Sequence, residues 1–198
     1  MDRLILASAS PRRRELLENI GLKFDIIVSS ENEENIDDTL PPKLYTSELA
    51  VLKANSVAKK LIEEGRQKGI IISADTVVYL DEKILGKPKN KEDAFLMLNS
   101  LSGRIHSVYT GICVLRLNDG FMVSESVRTD VKFKDIDDNL IRKYIGTNEP
   151  MDKAGAYGIQ GIGSLLVEKI DGDYFNVVGL PVSTLCEILK KEFNVDIL

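Results

Sequence analysis

Between Leu4 and Gly21 this chain has few conformational choices. Leu4-Ile5-Leu6-Ala7-Ser8 is a short apolar run suited to a buried strand. Ser10 is a good N-cap and Pro11 fits the first helical position, so a helix begins there, continues through Glu15-Leu16-Leu17 and stops near Gly21. Its charge is the wrong way round. Arg12, Arg13 and Arg14 fill the first turn, where unpaired N–H groups and the positive end of the helix dipole favour acids. Each cation there costs a few tenths of a kcal/mol to about 1 kcal/mol unless an anion arrives. The segment reads as a phosphate cradle; the plainer alternative is a solvated arginine cluster that costs little.

At 198 residues the chain can bury a real core, as one domain or as a pair of small lobes. A net charge of −5 argues against a nucleic-acid binder that relies on a broad basic surface. Local basic clusters instead suggest a small anionic ligand in a confined site. Cys113 and Cys186 lie far apart in apolar segments and read as buried thiols in a reducing compartment. With His106 as the single histidine, no Cys/His zinc site can be assembled. The N-terminus lacks a signal-peptide layout and no apolar run is long enough to span a membrane, so a cytoplasmic location is expected.

Further along, Phe24 to Val28 reads as a second strand, followed by an acidic loop from Ser29 to Leu40. A long helix is expected from about Lys43 to Glu64, with Ala50, Ala54, Val57, Ala58, Leu61 and Ile62 at helical spacing. Ile70-Ile71-Ile72 is a candidate central strand leading to a loop end at Ala74-Asp75-Thr76, with Val77 to Leu80 extended beyond it. Asn90 is placed to cap a helix over Glu92 to Leu101. Val108 to Leu117 and Phe121 to Phe133 flank Asn118-Asp119-Gly120, a hairpin signal. A helix over Asp138 to Ile145 precedes a glycine-dense loop, two further strands (Ser164 to Ile170 and Tyr174 to Val178) and a last helix opened by Pro181. The expected fold is a single α/β unit over residues 1–198, with a mixed, partly antiparallel central sheet flanked by helices. A cleft is expected where the loops 8–13, 29–40, 74–76, 86–88 and 152–163 converge.

The candidate chemical groups follow from that layout. Asp75, read as the end of a buried strand, is placed as catalytic carboxylates often are, although Ser-Ala-Asp-Thr also suits an ordinary turn. Lys53 on its helix says little alone. Gly86-Lys87-Pro88 is sharper, because Gly admits a ligand close to the backbone and Pro stiffens the presentation of the ammonium. Carboxylates of the Glu31–Asp38 run, if near phosphates, would suit Mg²⁺ or Mn²⁺; most such runs are solvated surface. His106 is expected to hold structure by hydrogen bonding, since nothing adjacent orients it for acid–base work. In Asp152 to Gly161, Gln160 offers an amide donor and acceptor able to read a nucleobase edge.

Ser8-Ala9-Ser10-Pro11-Arg12-Arg13-Arg14-Glu15-Leu16-Leu17 resembles the opening motif of the Maf family, nucleoside triphosphate pyrophosphatases once described as septum-formation inhibitors. Ala74-Asp75-Thr76-Val77-Val78, Gly86-Lys87-Pro88, Ser102-Gly103-Arg104-Ile105-His106, the loop from Asp152 to Gly161, and Asp173 to Pro181 resemble its later motifs in the same order. Several motifs in register make the match specific where any one would be weak. The resemblance implies a cytoplasmic house-cleaning hydrolase that cuts a nucleoside triphosphate between the α and β phosphates. It also implies an elongated, two-lobed fold of the inosine triphosphatase type with a central cleft, a divalent cation (Mg²⁺ or Mn²⁺), and in many members a homodimer. Asp75 falls on the family's proton acceptor, and Arg12, Thr76 and Gln160 on its specificity positions. Ser8, Arg12, Arg13, Lys53 and Lys87 match positions expected to hold phosphates, with Lys53 and Lys87 also counted as catalytic. Glu33-Glu34 fits the family's Glu-Glu pair through a one-residue insertion, so the implied metal ligands are Glu33, Glu34 and Asp75.

The Ala-Tyr-Gly-Ile-Gln-Gly form of the loop resembles the branch that prefers dTTP and UTP. A pyrophosphatase for 7-methyl-GTP or other modified or purine nucleotides is the rival enzyme reading. A nucleotide-responsive regulator of cell division that hydrolyses nothing is the rival of another class. The expected partner is a small nucleotide, with neither nucleic acid nor membrane.

Overall fold

The structure, a computed structural model, describes residues 3–30, 36–37 and 39–197. It is mixed α/β. Strand β1 (Leu4–Leu6) lies between β2 (Phe24–Ile26) and β3 (Ile70–Leu80), parallel to both, with Leu4 opposite Phe24 and Ile70. Helix α1 (Pro11–Asn19) links β1 to β2, and α2 (Pro42–Glu63) links β2 to β3. The chain continues through β4 (Lys83–Leu85), α3 (Lys91–Leu101), β5 (Ile105–Arg116), β6 (Met122–Phe133), α4 (Asp138–Gly146), β7 (Val167–Asp171), α5 (Tyr174–Val178) and α6 (Val182–Phe193). Hydrogen-bonded neighbours follow the order β2-β1-β3-β5-β6-β7, with β4 antiparallel to β3 and β7 antiparallel to β6. No helix among the described residues is long and apolar enough to cross a membrane.

The chain divides into two compact units. The first comprises Met1–Asp75, Thr110–Val127 and Gly179–Leu198, and the second Thr76–Tyr109 and Arg128–Val178. In the first, β1 and the start of β3 are apolar at every position and buried, as parallel strands covered on both faces must be. Ile5, Ala7 and Ile71 pack on a stripe of α2 formed by Ala50, Ala54, Val57, Ala58 and Leu61. The small residues let helix and sheet approach closely. At Gly111 on β5 the approach is closest, since a Cβ there would overlap the carbonyl of Thr46 in α2. In the second unit, α3 and α4 contribute Ala94, Leu98, Leu101, Ile141 and Tyr144 to a core shared with Val78, Val108, Val131, Phe133 and Tyr157. Asn90 caps α3 as expected, its side chain accepting from the Asp93 N–H at 2.8 Å.

Three expectations fail. Asp75 is not at a loop end: β3 runs unbroken for 11 residues and Asp75 lies within it, 8% exposed. Polar residues survive there because each has a partner. Ser73 Oγ donates to Ala50 O at 2.6 Å, and Asp75 pairs with Lys53. Nor is Tyr174 to Val178 a strand; it is the short helix α5. Asp173 Oδ1 accepts from the Phe175 N–H, and buried Asn176 donates to Val108 O and Thr129 Oγ1, so local capping and tertiary bonding override a β-prone composition. The preceding strand is also shorter than expected, because Gly161–Leu166 is 3₁₀ turn.

Candidate functional site

The strand order places β1 where the chain reverses its direction of winding, between β2 on one side and β3 on the other. Open α/β sheets bind ligands at such switch points, beyond the carboxyl ends of the strands. Ser8 follows β1 at that end. On β3, alternate residues 71, 73 and 75 turn towards α2, and their chemistry shifts from apolar Ile71 through Ser73 to Asp75. On α2 the facing residues are Ala54, Ala50 and Lys53. Lys53 Nζ lies 2.6 Å from Asp75 Oδ1, with side chains only 14% and 12% exposed. Lys53 sits three residues beyond Ala50 and four before Val57, so it belongs to the buried stripe of its helix. That spacing marks the lysine as something other than a solvated surface cation.

Arg13 ties this corner together. Its Nη1 donates to Ala74 O at 2.8 Å and to Ser8 Oγ at 3.2 Å, and its Nε donates to Gly179 O at 2.8 Å. Ser8 Oγ also accepts from the Ser10 N–H, and Ser10 Oγ from the Arg13 N–H, as the N-cap of α1. The β1–β3 register ends at Leu6 opposite Ile72, and the guanidinium bonds the strand carbonyl of Ala74 beyond it. Arg14 pairs with Glu18 one turn along α1 at 2.7 Å. The misplaced charge of the first turn is thus partly answered inside the protein, by carbonyls for Arg13 and by a carboxylate for Arg14. Arg12 is half-buried on the same turn.

Thr76, next along β3, is half-buried and begins the second unit. In that unit Lys87 is exposed after β4, and Gln160 is half-buried at the start of the Gly161–Leu166 turn. The two segments are tied by the Gly155 N–H, which donates to Gly86 O at 3.0 Å. Gly155 has φ +65°, and a Cβ there would meet Val78 at 2.7 Å, so only glycine lets the loop pass. Ala156 follows, buried and also left-handed at φ +58°. The Gln160 amide makes no hydrogen bond to protein among the described residues and is left for solvent or a ligand.

His106 is buried, as a structural residue should be. Its Nε2 is 2.8 Å from the Tyr157 hydroxyl, and its ring stands edge-on to Phe133 and Tyr157. Burial pushes it down to about 4, against the opposing charge of Asp130. Glu149 and Tyr144, to which no role was assigned from the sequence, form a bonded pair at 3.0 Å beside the Gln160 loop. Tyr144 resembles any core residue of an amphipathic helix, and Glu149 looks like a surface acid before a proline, so neither announces itself.

Glu33 and Glu34 lie outside the described residues. Among the described residues, no three His, Cys, Asp or Glu side chains are grouped as a metal site would need. Asp75 is a hard oxygen donor, and Mg²⁺ commonly takes one or two carboxylates with the remaining positions filled by water and substrate phosphates. The residue fits such an ion as a single protein ligand.

A strand-borne carboxylate, a largely buried ammonium and a braced arginine stand together at the switch point of a parallel β-α-β core, a set of groups whose chemistry suits a phosphorylated ligand. The chain belongs to the Maf family, whose model, described as Maf-like protein, matches residues 3–192. Its relatives include a protein from Thermoanaerobacter sp. (strain X514) named dTTP/UTP pyrophosphatase, 53% identical over 99% of this chain and 100% of its own length. A protein of the same name from Alkaliphilus metalliredigens (strain QYMF) is 52% identical over the whole of both chains. A third, from Clostridium novyi (strain NT), is 52% identical over 94% of this chain and 95% of its own.

Proposed function

We propose that this protein is a nucleoside triphosphate pyrophosphatase acting on dTTP and UTP. Water attacks the α phosphorus, the bond from that phosphorus to the bridging oxygen breaks, and the products are the nucleoside monophosphate and pyrophosphate. The observation that carries the reading is the largely buried Lys53–Asp75 pair beside Ser8 and Arg13, in a chain about half identical over its full length to proteins named for this activity.

Phosphoryl and nucleotidyl transfer asks little covalent chemistry of a protein and much positioning and charge stabilisation. Asp75 accepts the proton of the attacking water and aims it. Lys53, Lys87, Arg12 and Ser8 bind phosphate oxygens. Arg13 commits its Nε and Nη1 to the chain, so it acts on the phosphates from a guanidinium whose orientation is already set. Thr76, Arg12 and Gln160 contact the pyrimidine nucleoside, with the Gln160 amide matching the adjacent acceptor and donor of a uracil or thymine edge. Asp75 would hold the divalent cation, Mg²⁺ or Mn²⁺, together with Glu33 and Glu34. That ion, when bound, neutralises charge on the phosphates. A cytoplasmic, homodimeric enzyme is part of the same proposal; sedimentation of the purified chain tests the dimer.

Release of pyrophosphate across canonical and modified nucleotides, with and without Mg²⁺, is the deciding assay. Strong preference for 7-methyl-GTP or ITP over dTTP and UTP would overturn the substrate assignment. Tight nucleotide binding without pyrophosphate release, metal present, would mark a regulator instead. Because a general base contributes roughly 10²–10⁴-fold, Asp75→Asn should lose at least about 10²-fold in kcat while remaining folded.

A further inference from the structure

Gln160 sits in the middle of a segment whose two flanks are both bonded to the same pair of side chains. Before it, the Gly158 N–H donates to the Tyr144 hydroxyl oxygen at 3.2 Å. After it, the Ile162 N–H donates to Glu149 Oε2 at 3.0 Å and the Gly163 N–H to Oε1 at 2.9 Å. The Tyr144 hydroxyl closes the arrangement by donating to Glu149 Oε1 at 3.0 Å. The segment also folds back on itself, because a Cβ on Gly163 would overlap the Gly158 carbonyl and crowd the Tyr144 hydroxyl. Lys153 Nζ donates to the Glu149 carbonyl, and the Tyr157 hydroxyl meets His106. The backbone around Gln160 is therefore tied down, while its own amide is left without a protein partner among the described residues.

We propose that Tyr144 and Glu149 are positioning residues for base selection: as a clamp on residues 158–163 they fix where the Gln160 amide points. The proposal rests on the reading of Gln160 as a base-contacting group. A site built around a fixed donor and acceptor rejects ligands that leave those groups unpaired, and loses that power when the amide is free to wander. Glu149→Gln keeps the volume but sets an NH₂ group against at least one donor, and Tyr144→Phe deletes the hydroxyl that meets both Gly158 and Glu149.

The test compares kcat/KM for UTP, dTTP, CTP and ATP in the wild type, Tyr144→Phe, Glu149→Gln and Gln160→Ala. Asn90→Ala, which removes the α3 cap in the same unit, is the control for simple destabilisation. Both clamp variants should lower the preference for UTP over CTP and ATP by about tenfold, chiefly through KM for the pyrimidine, with kcat for UTP within about threefold. The cap variant should leave the preference unchanged. If Gln160→Ala itself keeps the wild-type preference, the base-contact reading falls. If Gln160→Ala relaxes the preference and the folded clamp variants do not, the clamp is overturned and the reading survives. Amide hydrogen exchange on the wild type decides the matter even if the variants misfold: the 158, 162 and 163 amides must be protected, and exchange at open-chain rates would refute the clamp.

Discussion

Burying Asp75 beside Lys53 makes each side chain dependent on the other. Removing one partner of a largely buried pair leaves a charge with poor solvation, at a cost that reaches 3–5 kcal/mol in full burial. Here the side chains keep some water contact, so Lys53→Met should cost about 2–3 kcal/mol in urea unfolding. Adding Asp75→Asn should recover part of that loss, because the carboxylate that lost its ammonium is gone. Simple additivity of the two changes would show that the pair is not coupled. The same residues show what was legible. The long helix could be read from its alanines, and Lys53 occupies the same stripe, but a lone lysine among apolar residues is normally discounted. Asp75 could be picked out as a candidate from its motif. Its place inside a strand could not, because that depends on a helix more than twenty residues away supplying an ammonium and a carbonyl.

At the scale of elements, α2 and β5 meet at Gly111 with no room for a side chain. Gly111→Ala should destabilise the protein by about 3 kcal/mol, measured by urea unfolding, since the obstacle is helix backbone and cannot rotate away. Retention of wild-type stability would mean that helix and sheet separate more easily than this packing implies. Periodicity and caps made α1, α2, α3, α4, α6 and the β5–β6 hairpin readable, because those signals are local. α5 was not readable. Tyr174-Phe175-Asn176-Val177-Val178 has the composition of a strand, and only the bonds from Asn176 to Val108 and Thr129 settle it as helix. The glycine loop could be read as a candidate site from its composition, but the bonds that tie it to Tyr144 and Glu149 could not. Tyr144 and Glu149 are separated from Gln160 by a turn and a loop, and no short-range pattern links them.

For the molecule as a whole, the buried histidine couples stability to pH. His106 is held at about 4 by burial against an ordinary value of 6.5. Between those values the unfolded chain binds the proton and the folded one does not, so stability rises with pH. The contribution is complete above pH about 6.5 and lost towards pH about 4, a span of about 3 kcal/mol. Burial opposes ionisation of Asp130 and Glu149, yet hydrogen bonds from Arg128 and Ser107, and from the Gly163 and Ile162 amides, hold both below their ordinary values. Their contributions are present above those values and fall away as pH drops further. His106→Gln should flatten the stability profile between pH 4 and 6.5. An unchanged slope would remove His106 as its source.

Three separate stretches of polypeptide build the unit that holds Ser8, Arg13, Lys53 and Asp75, and the last of them begins at Gly179. There Arg13 finds one of its carbonyls, and α6 adds Leu185, Ile188 and Leu189 to the interior, with Arg116 stacked on Phe121 and Phe193. A ribosome delivers this stretch after the other two that build the unit. A product cut short by a premature stop codon before Gly179 would carry every proposed reacting group and still lack the stretch that closes the unit around four of them.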